Sequence, residues 1–193
     1  MANDNVEVEI KIKLTKTRFD KIEKQLSKIA KKIKTSHHID AYYNPVDKSF
    51  LKPKYPYKWL AVRQRDGKVT LNFKHWYPEG VKNTTHCHEY ETEVANKEQI
   101  ENILKALNFE NFVTVDKKRT IYNKNEFEIA LDEVKNLGYF IEVESIKNKG
   151  GVKKSYQKIL DFLKVLGIKE TTTVPGGYAA GLMRNLKQKR TAW

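Results

Sequence analysis

Glu7-Val8-Glu9-Ile10-Lys11 sets the reading of this chain. Successive side chains of a strand point to opposite faces. Glu7, Glu9, Lys11 and Lys13 therefore share one surface, and Val6, Val8, Ile10, Ile12 and Leu14 share the other. Taken alone, such a charged face is ordinary solvent-facing sheet. The pattern returns further along, in Arg63 and Arg65, in Glu89, Glu91 and Glu93, in Lys117 and Arg119, in Asp132, and in Glu142 and Glu144. Strand after strand of paired carboxylates or paired cations implies that these faces look at one another.

The elements between them follow local signals. A helix is expected from about Arg18 to Ile33, capped by Thr17, with Phe19, Ile22, Leu26, Ile29 and Ile33 at helical spacing. Strands are expected over 38–43, 58–65, 68–75, 86–95, 112–122, 126–134 and 139–146, with Asp66-Gly67 the strongest hairpin signal. Further helices are expected over 97–107 and 152–166, and one short helix in the 171–193 tail. About eight strands, mostly joined by hairpins, suffice to close an antiparallel barrel. The apolar stripes of strands and helices pair with each other, which places helices outside and the charged faces inside. The expectation is an α+β fold in one domain over 1–193, with its strands within about 6–146. A charged lumen is costly unless it is wet, internally paired or bound to a ligand. Such a lumen suits a highly charged substrate with metal ions.

Composition sets the bounds. The 193 residues carry 37 Lys plus Arg against 24 Asp plus Glu, a net charge of +13. An anionic partner is expected, and both phosphorylated small molecules and nucleic acid qualify. Part of the excess is a solvated lysine face, Lys21, Lys24, Lys28, Lys31, Lys32 and Lys34. The single Cys87 excludes an intramolecular disulfide and fits a reducing compartment. No apolar run approaches a membrane span, and the N-terminus reads as lacking a signal-peptide core. A cytoplasmic protein without a membrane partner is the expectation. His86-Cys87-His88 leaves only two His on one face, short of the four ligands a structural zinc takes. Gly150-Gly151 lacks the P-loop pattern and reads as a turn. The aromatic stretch from Tyr55 to Trp59, with Trp76 and Tyr77, can stack a base or anchor loops.

The same residues resemble a known family. Glu7-x-Glu9-x-Lys11 is similar to the ExExK signature of the CYTH superfamily, the triphosphate tunnel metalloenzymes. The resemblance continues in family order through Leu60-Ala61-Val62-Arg63-Gln64-Arg65, Thr70-Leu71-Asn72-Phe73-Lys74, Glu89-Tyr90-Glu91-Thr92-Glu93-Val94, Val115-Asp116-Lys117-Lys118-Arg119 and the hairpin from Leu131 to Glu144. ExExK alone is weak in a chain rich in Glu and Lys. Six stretches in order are strong. One departure stands out: where the family often shows a Ser-Tyr-x-x-Leu-Leu-like closing element, this chain has Gly177-Tyr178-Ala179-Ala180-Gly181-Leu182.

The resemblance implies an eight-stranded antiparallel closed β-barrel, a triphosphate tunnel, with helices packed outside. It implies Glu7, Glu9, Asp132, Glu142 and Glu144 as ligands of Mg²⁺ or Mn²⁺, and Glu7, Glu9, Lys11 and Asp132 as the catalytic set. Lys11, Arg63, Arg65, Lys74, Lys117 and Arg119 would hold the triphosphate, with Glu91 and Glu93 beside them. The implied substrate is a triphosphate-containing small molecule (ATP, thiamine triphosphate or tripolyphosphate) in preference to nucleic acid, and a homodimer stays open. The hairpin 131–144 looks most like class IV adenylyl cyclases, which convert ATP to cyclic AMP and pyrophosphate. A triphosphatase is the alternative enzyme, and a polyphosphate- or nucleic-acid-binding module the alternative without turnover.

Overall fold

The computed structural model describes residues 6–146, 150–169 and 174–190, with side chains up to Leu186 in the last of these segments. Of the 171–193 tail, 171–173 and 191–193 fall outside the described residues.

Alternation at period two builds the sheet. Its strands are β1 (Val6–Glu7), β2 (Glu9–Leu14), β3 (Lys31–Pro45), β4 (Lys58–Arg65), β5 (Lys68–Tyr77), β6 (His86–Glu93), β7 (Phe109–Lys124), β8 (Phe127–Val134) and β9 (Gly138–Ser145). The order in space is β1-β6-β5-β4-β3-β7-β8-β9-β2, and every pairing is antiparallel. β1 and β2 are one run of chain interrupted only at Val8. Because β1 pairs with β6 and β2 pairs with β9, that run joins the two edges of the sheet. The result is a nearly closed barrel. The eight expected strands are the nine found among the described residues, the first being split in two.

The β4–β5 turn is the one the sequence announced. Asp66 and Gly67 take φ of 50° and 78°, the left-handed pair that a two-residue hairpin needs.

Among the described residues, four helices lie outside the wall: α1 (Lys16–Ile29), α2 (Lys97–Ala106), α3 (Gly151–Val165) and α4 (Gly177–Arg190). α1 begins and ends earlier than its periodicity predicts. Thr15, not Thr17, is the cap, its Oγ1 accepting from the Arg18 backbone N–H at 3.3 Å. At Ala30 the backbone turns extended, and Lys31-Lys32-Ile33-Lys34 enters β3, where it pairs with the far end of β7. Ile33 is exposed there rather than on a helical core stripe.

The main apolar core is the outer face of the wall. Val8, Ile10, Ile12, Ile129, Leu131, Ile141 and Val143 pack against Ile22 and Leu26 of α1 and Ile159 and Leu163 of α3. Burying each of these side chains contributes roughly 1.5–3 kcal/mol. A smaller cluster seats Leu104 of α2 on Tyr43 and Val62. With their apolar neighbours committed outward, Glu9, Lys11, Arg63, Lys117, Arg119, Asp132 and Glu142 have only the lumen to occupy. No helix among the described residues is long and apolar enough to cross a membrane.

Candidate active site

The lumen holds a cavity of about 310 Å³. Its walls gather residues from all parts of the chain: Glu7, Glu9, Lys11, Arg63, Arg65, Lys74, Glu89, Glu91, Lys117, Arg119, Glu142 and Glu144. The strand faces do meet one another.

One side is acidic. Glu9 stands opposite Glu144, and Lys11 opposite Glu142, across the β2–β9 ladder. Lys11 Nζ bridges Glu9 Oε1 at 3.0 Å and Glu142 Oε2 at 2.9 Å. Lys74 reaches across to Glu7, which also accepts the Cys87 Sγ–H at 3.1 Å. Glu144 has no ion pair among the described residues. Burial, then the negative Glu7 and Glu9 beside it, push its carboxyl up to about 10. Burial also lifts Glu7, to about 7, against the pull of Lys74.

The other side is cationic. Arg63 Nη1 donates to Glu89 at 3.0 Å and Glu91 at 2.9 Å, and Asn72 Nδ2 donates to the same two carboxylates at 2.6 and 3.1 Å. Arg65 and Lys117 flank the buried Asp40 at 3.4 and 3.8 Å. Burial, reinforced by Arg119, lowers the Lys117 ammonium to about 8 even with Asp132 and Asp40 nearby.

Arg119 forks onto Asp132, with Nε to Oδ1 at 2.8 Å and Nη2 to Oδ2 at 2.6 Å, and also reaches Glu142 at 3.0 Å. The Tyr178 hydroxyl donates to Asp132 Oδ2 at 2.6 Å. Burial would raise the Asp132 carboxyl, but Arg119 and Lys117 outweigh it and hold it below its usual range.

Most residues named from the sequence thus converge. Two stand differently. Glu93 shares the inward parity but lies past the rim, exposed and held by Lys68 at 2.6 Å. Asp132 lies in the lumen, yet both its oxygens are already engaged, away from the Glu7–Glu9–Glu144 group. Asp40, Asn72 and Tyr178 carry contacts that the sequence reading did not assign. Parity could have found the first two, because Asp40 pairs with Arg63 and Asn72 shares a face with Lys74.

The donor chemistry fits a hard divalent cation. Glu7, Glu9, Glu142 and Glu144 offer oxygen only, the preference of Mg²⁺ and Mn²⁺, and Glu144 is a half-buried carboxylate with no ion pair among the described residues. Among the described residues no three such groups converge on a single chelation point, since Lys11, Lys74 and Arg119 occupy their inner oxygens.

Comparison with known proteins identifies this arrangement: the sequence matches the CYTH domain over residues 5–178. The chain belongs to the CYTH family. CYTH proteins act on triphosphates, and the cage of cations and carboxylates is the part of this one suited to that task. A curated CYTH relative, named "putative adenylate cyclase", from Methanocaldococcus jannaschii, is 30% identical over 175 residues, covering 90% of this chain and 96% of the relative. Among solved structures, a Pyrococcus horikoshii protein superposes with a TM-score of 0.76 at 25% identity, covering 91% of this chain and 98% of its own. A Vibrio parahaemolyticus structure titled "putative adenylate cyclase" shares the CYTH fold at a TM-score of 0.72 and 18% identity, over 93% and 98% of the two chains.

Proposed function

We propose that this CYTH protein converts ATP to cyclic AMP and pyrophosphate with the help of Mg²⁺ or Mn²⁺. The observation that carries the reading is the convergence of Lys11, Arg63, Arg65, Lys74, Lys117 and Arg119 on one cavity that also presents Glu7, Glu9, Glu142 and Glu144. A pure anion binder gains nothing from buried carboxylates, whereas a triphosphate-processing site needs both signs.

Phosphoryl chemistry asks the protein for positioning and charge neutralisation more than for a nucleophile of its own. Glu7, Glu9, Glu142 and Glu144 would hold the divalent cation, which when bound offsets charge on the phosphate oxygens. Arg63, Arg65 and Arg119 present planar forks to phosphate, and Lys11, Lys74 and Lys117 present point charges. Lys11 and Lys74 exchange their carboxylate partners for phosphate oxygens when substrate enters. In the cyclase reaction the ribose 3′-hydroxyl oxygen bonds to the α-phosphorus as the bond to pyrophosphate breaks, and the hydroxyl proton passes to water. Trp59, Trp76, Val81 and Pro175 line one part of the same cavity and supply apolar surface for a base. The 30% identity to the relative named "putative adenylate cyclase" supports this choice of reaction.

Incubation with ATP and Mn²⁺ or Mg²⁺, followed by separation of products, tests it. Cyclic AMP with pyrophosphate is the expected result. Orthophosphate alone, or faster turnover of tripolyphosphate or thiamine triphosphate, replaces the cyclase with a triphosphatase. Binding of these anions with no turnover leaves the binding module.

A further inference from the structure

Tyr178, at the start of α4, reaches into the lumen and is buried to 4% exposure. It touches lumenal groups on four consecutive strands. Its ring centroid lies 5.0 Å from Lys117 Nζ on β7 and 4.6 Å from Lys11 Nζ on β2. Its hydroxyl donates to Asp132 on β8, and its ring meets Phe140 on β9 edge-on at 4.8 Å. A Cβ on Gly176 would stand 2.7 Å from Ala180 and 3.0 Å from Trp59, so the close approach of this segment depends on glycine, whose φ there is +72°.

The two lysines need such a partner for different reasons. Lys117 has its nearest carboxylate oxygens at 3.8 and 4.0 Å, on Asp40 and Asp132, too far for hydrogen bonds. Lys11 is already drawn toward Glu9 and Glu142. An aromatic face attracts ammonium groups without competing for them as a carboxylate does. It therefore keeps both aimed at the cavity and available to an anion.

Resting on the triphosphate reading above, we propose that Tyr178 is a positioning residue for substrate binding. Its ring holds the Lys11–Lys117 pair at the cavity, so that Lys117 meets phosphate as it stands and Lys11 meets it on letting go of Glu9 and Glu142. The hydroxyl bond to Asp132 fixes the ring and is secondary, because Asp132 keeps the Arg119 fork without it.

Calorimetry with inorganic tripolyphosphate in excess EDTA isolates the cationic contacts from any metal. Tyr178→Leu should weaken binding about tenfold. Tyr178→Phe should restore affinity to near the wild-type value. Tyr178→trifluorophenylalanine keeps the shape but removes the negative ring face, and should bind as poorly as the Leu variant; it also decides the matter should the Leu variant fail to fold. Leu182→Ala, in the same apolar cluster but clear of both lysines, should lower Tm with unchanged affinity. Equal affinity of the Phe and trifluorophenylalanine variants, or equal weakening by Leu182→Ala, overturns the proposal. If the wild-type protein binds no tripolyphosphate, with or without Mn²⁺, the triphosphate reading itself falls and this inference falls with it.

Discussion

Glu9 and Glu144 are direct cross-strand partners on the β2–β9 ladder, both facing the lumen. Like charges placed opposite each other destabilise a sheet. Here the nearby Lys11 and Lys74 relieve Glu9 but leave Glu144 without an ion pair among the described residues. Burial beside Glu7 and Glu9 makes the folded protein keep on Glu144 a proton that the unfolded chain gives up at neutral pH, a stored electrostatic cost that a divalent cation removes.

Glu144→Gln removes that cost in another way. In EDTA at neutral pH the variant should melt about 2–4 °C above wild type, the shift that about 1 kcal/mol gives a domain of this size. Saturating Mg²⁺ or Mn²⁺ should raise the wild-type Tm and leave the variant nearly unmoved. Thermal denaturation of both proteins, with and without the ion, measures this. A variant that is less stable in EDTA and gains as much from metal as wild type contradicts the assignment.

The Arg119–Asp132 fork leads to an expectation of a different kind. Breaking a buried, hydrogen-bonded ion pair on one side costs about 3–5 kcal/mol, since the surviving charge stays in place without its partner. Asp132→Ala should therefore unfold at clearly lower urea, whereas Glu144→Gln, which breaks no ion pair, should not lower the midpoint and should act on metal-dependent turnover. Urea titrations of the two variants separate them. Similar midpoints would return Asp132 to the metal group where the sequence reading had it.

Arg65 is the loosely held arginine of its strand, 3.4 Å from Asp40. Arg63, by contrast, is fastened to Glu89 and Glu91 at 3.0 and 2.9 Å. Arg65→Ala should weaken tripolyphosphate binding by roughly 2–4 kcal/mol, the loss expected for a partly desolvated charge-assisted contact. Calorimetry reads it directly, and an unchanged dissociation constant places Arg65 outside the binding surface.

How much of this could be read in the sequence depends on the kind of signal. The lumen was legible because strand alternation is strict: once Glu7 faces inward, so do Glu9 and Lys11. The end of α1 was not. Ile33 sits at helical spacing from Ile29, yet Lys31 to Lys34 pairs with the end of β7, some ninety residues away. Long-range pairing overrides local periodicity there. Glu93 failed for a related reason, since parity gives the direction of a side chain but not the height of the barrel rim. Tyr178 could be noticed only as a departure, because its partners on β2, β7, β8 and β9 come together solely through closure of the sheet.

His38 supplies a pH test of the cationic side. It lies buried on β3, 2.8 Å from Ser36 Oγ, with Arg65, Lys117 and Arg119 around it and Asp40 two residues away. Burial first, then those three cations, lower its imidazolium to about 3. The unfolded chain protonates this residue near pH 6.5. Above that value neither state carries the proton, and His38 leaves stability unchanged. Between about 6.5 and 3 the unfolded state binds a proton that the folded state refuses, so stability falls as pH falls, by up to about 1.4 kcal/mol per unit. His38→Asn removes the titrating group. Urea unfolding at steps from pH 7.5 to 4.5 should show a shallower loss for the variant, by close to one proton, with the two curves parallel above pH 7. Parallel curves throughout would mean that His38 takes its proton in the folded protein, and that the cluster around it is less positive than its geometry requires.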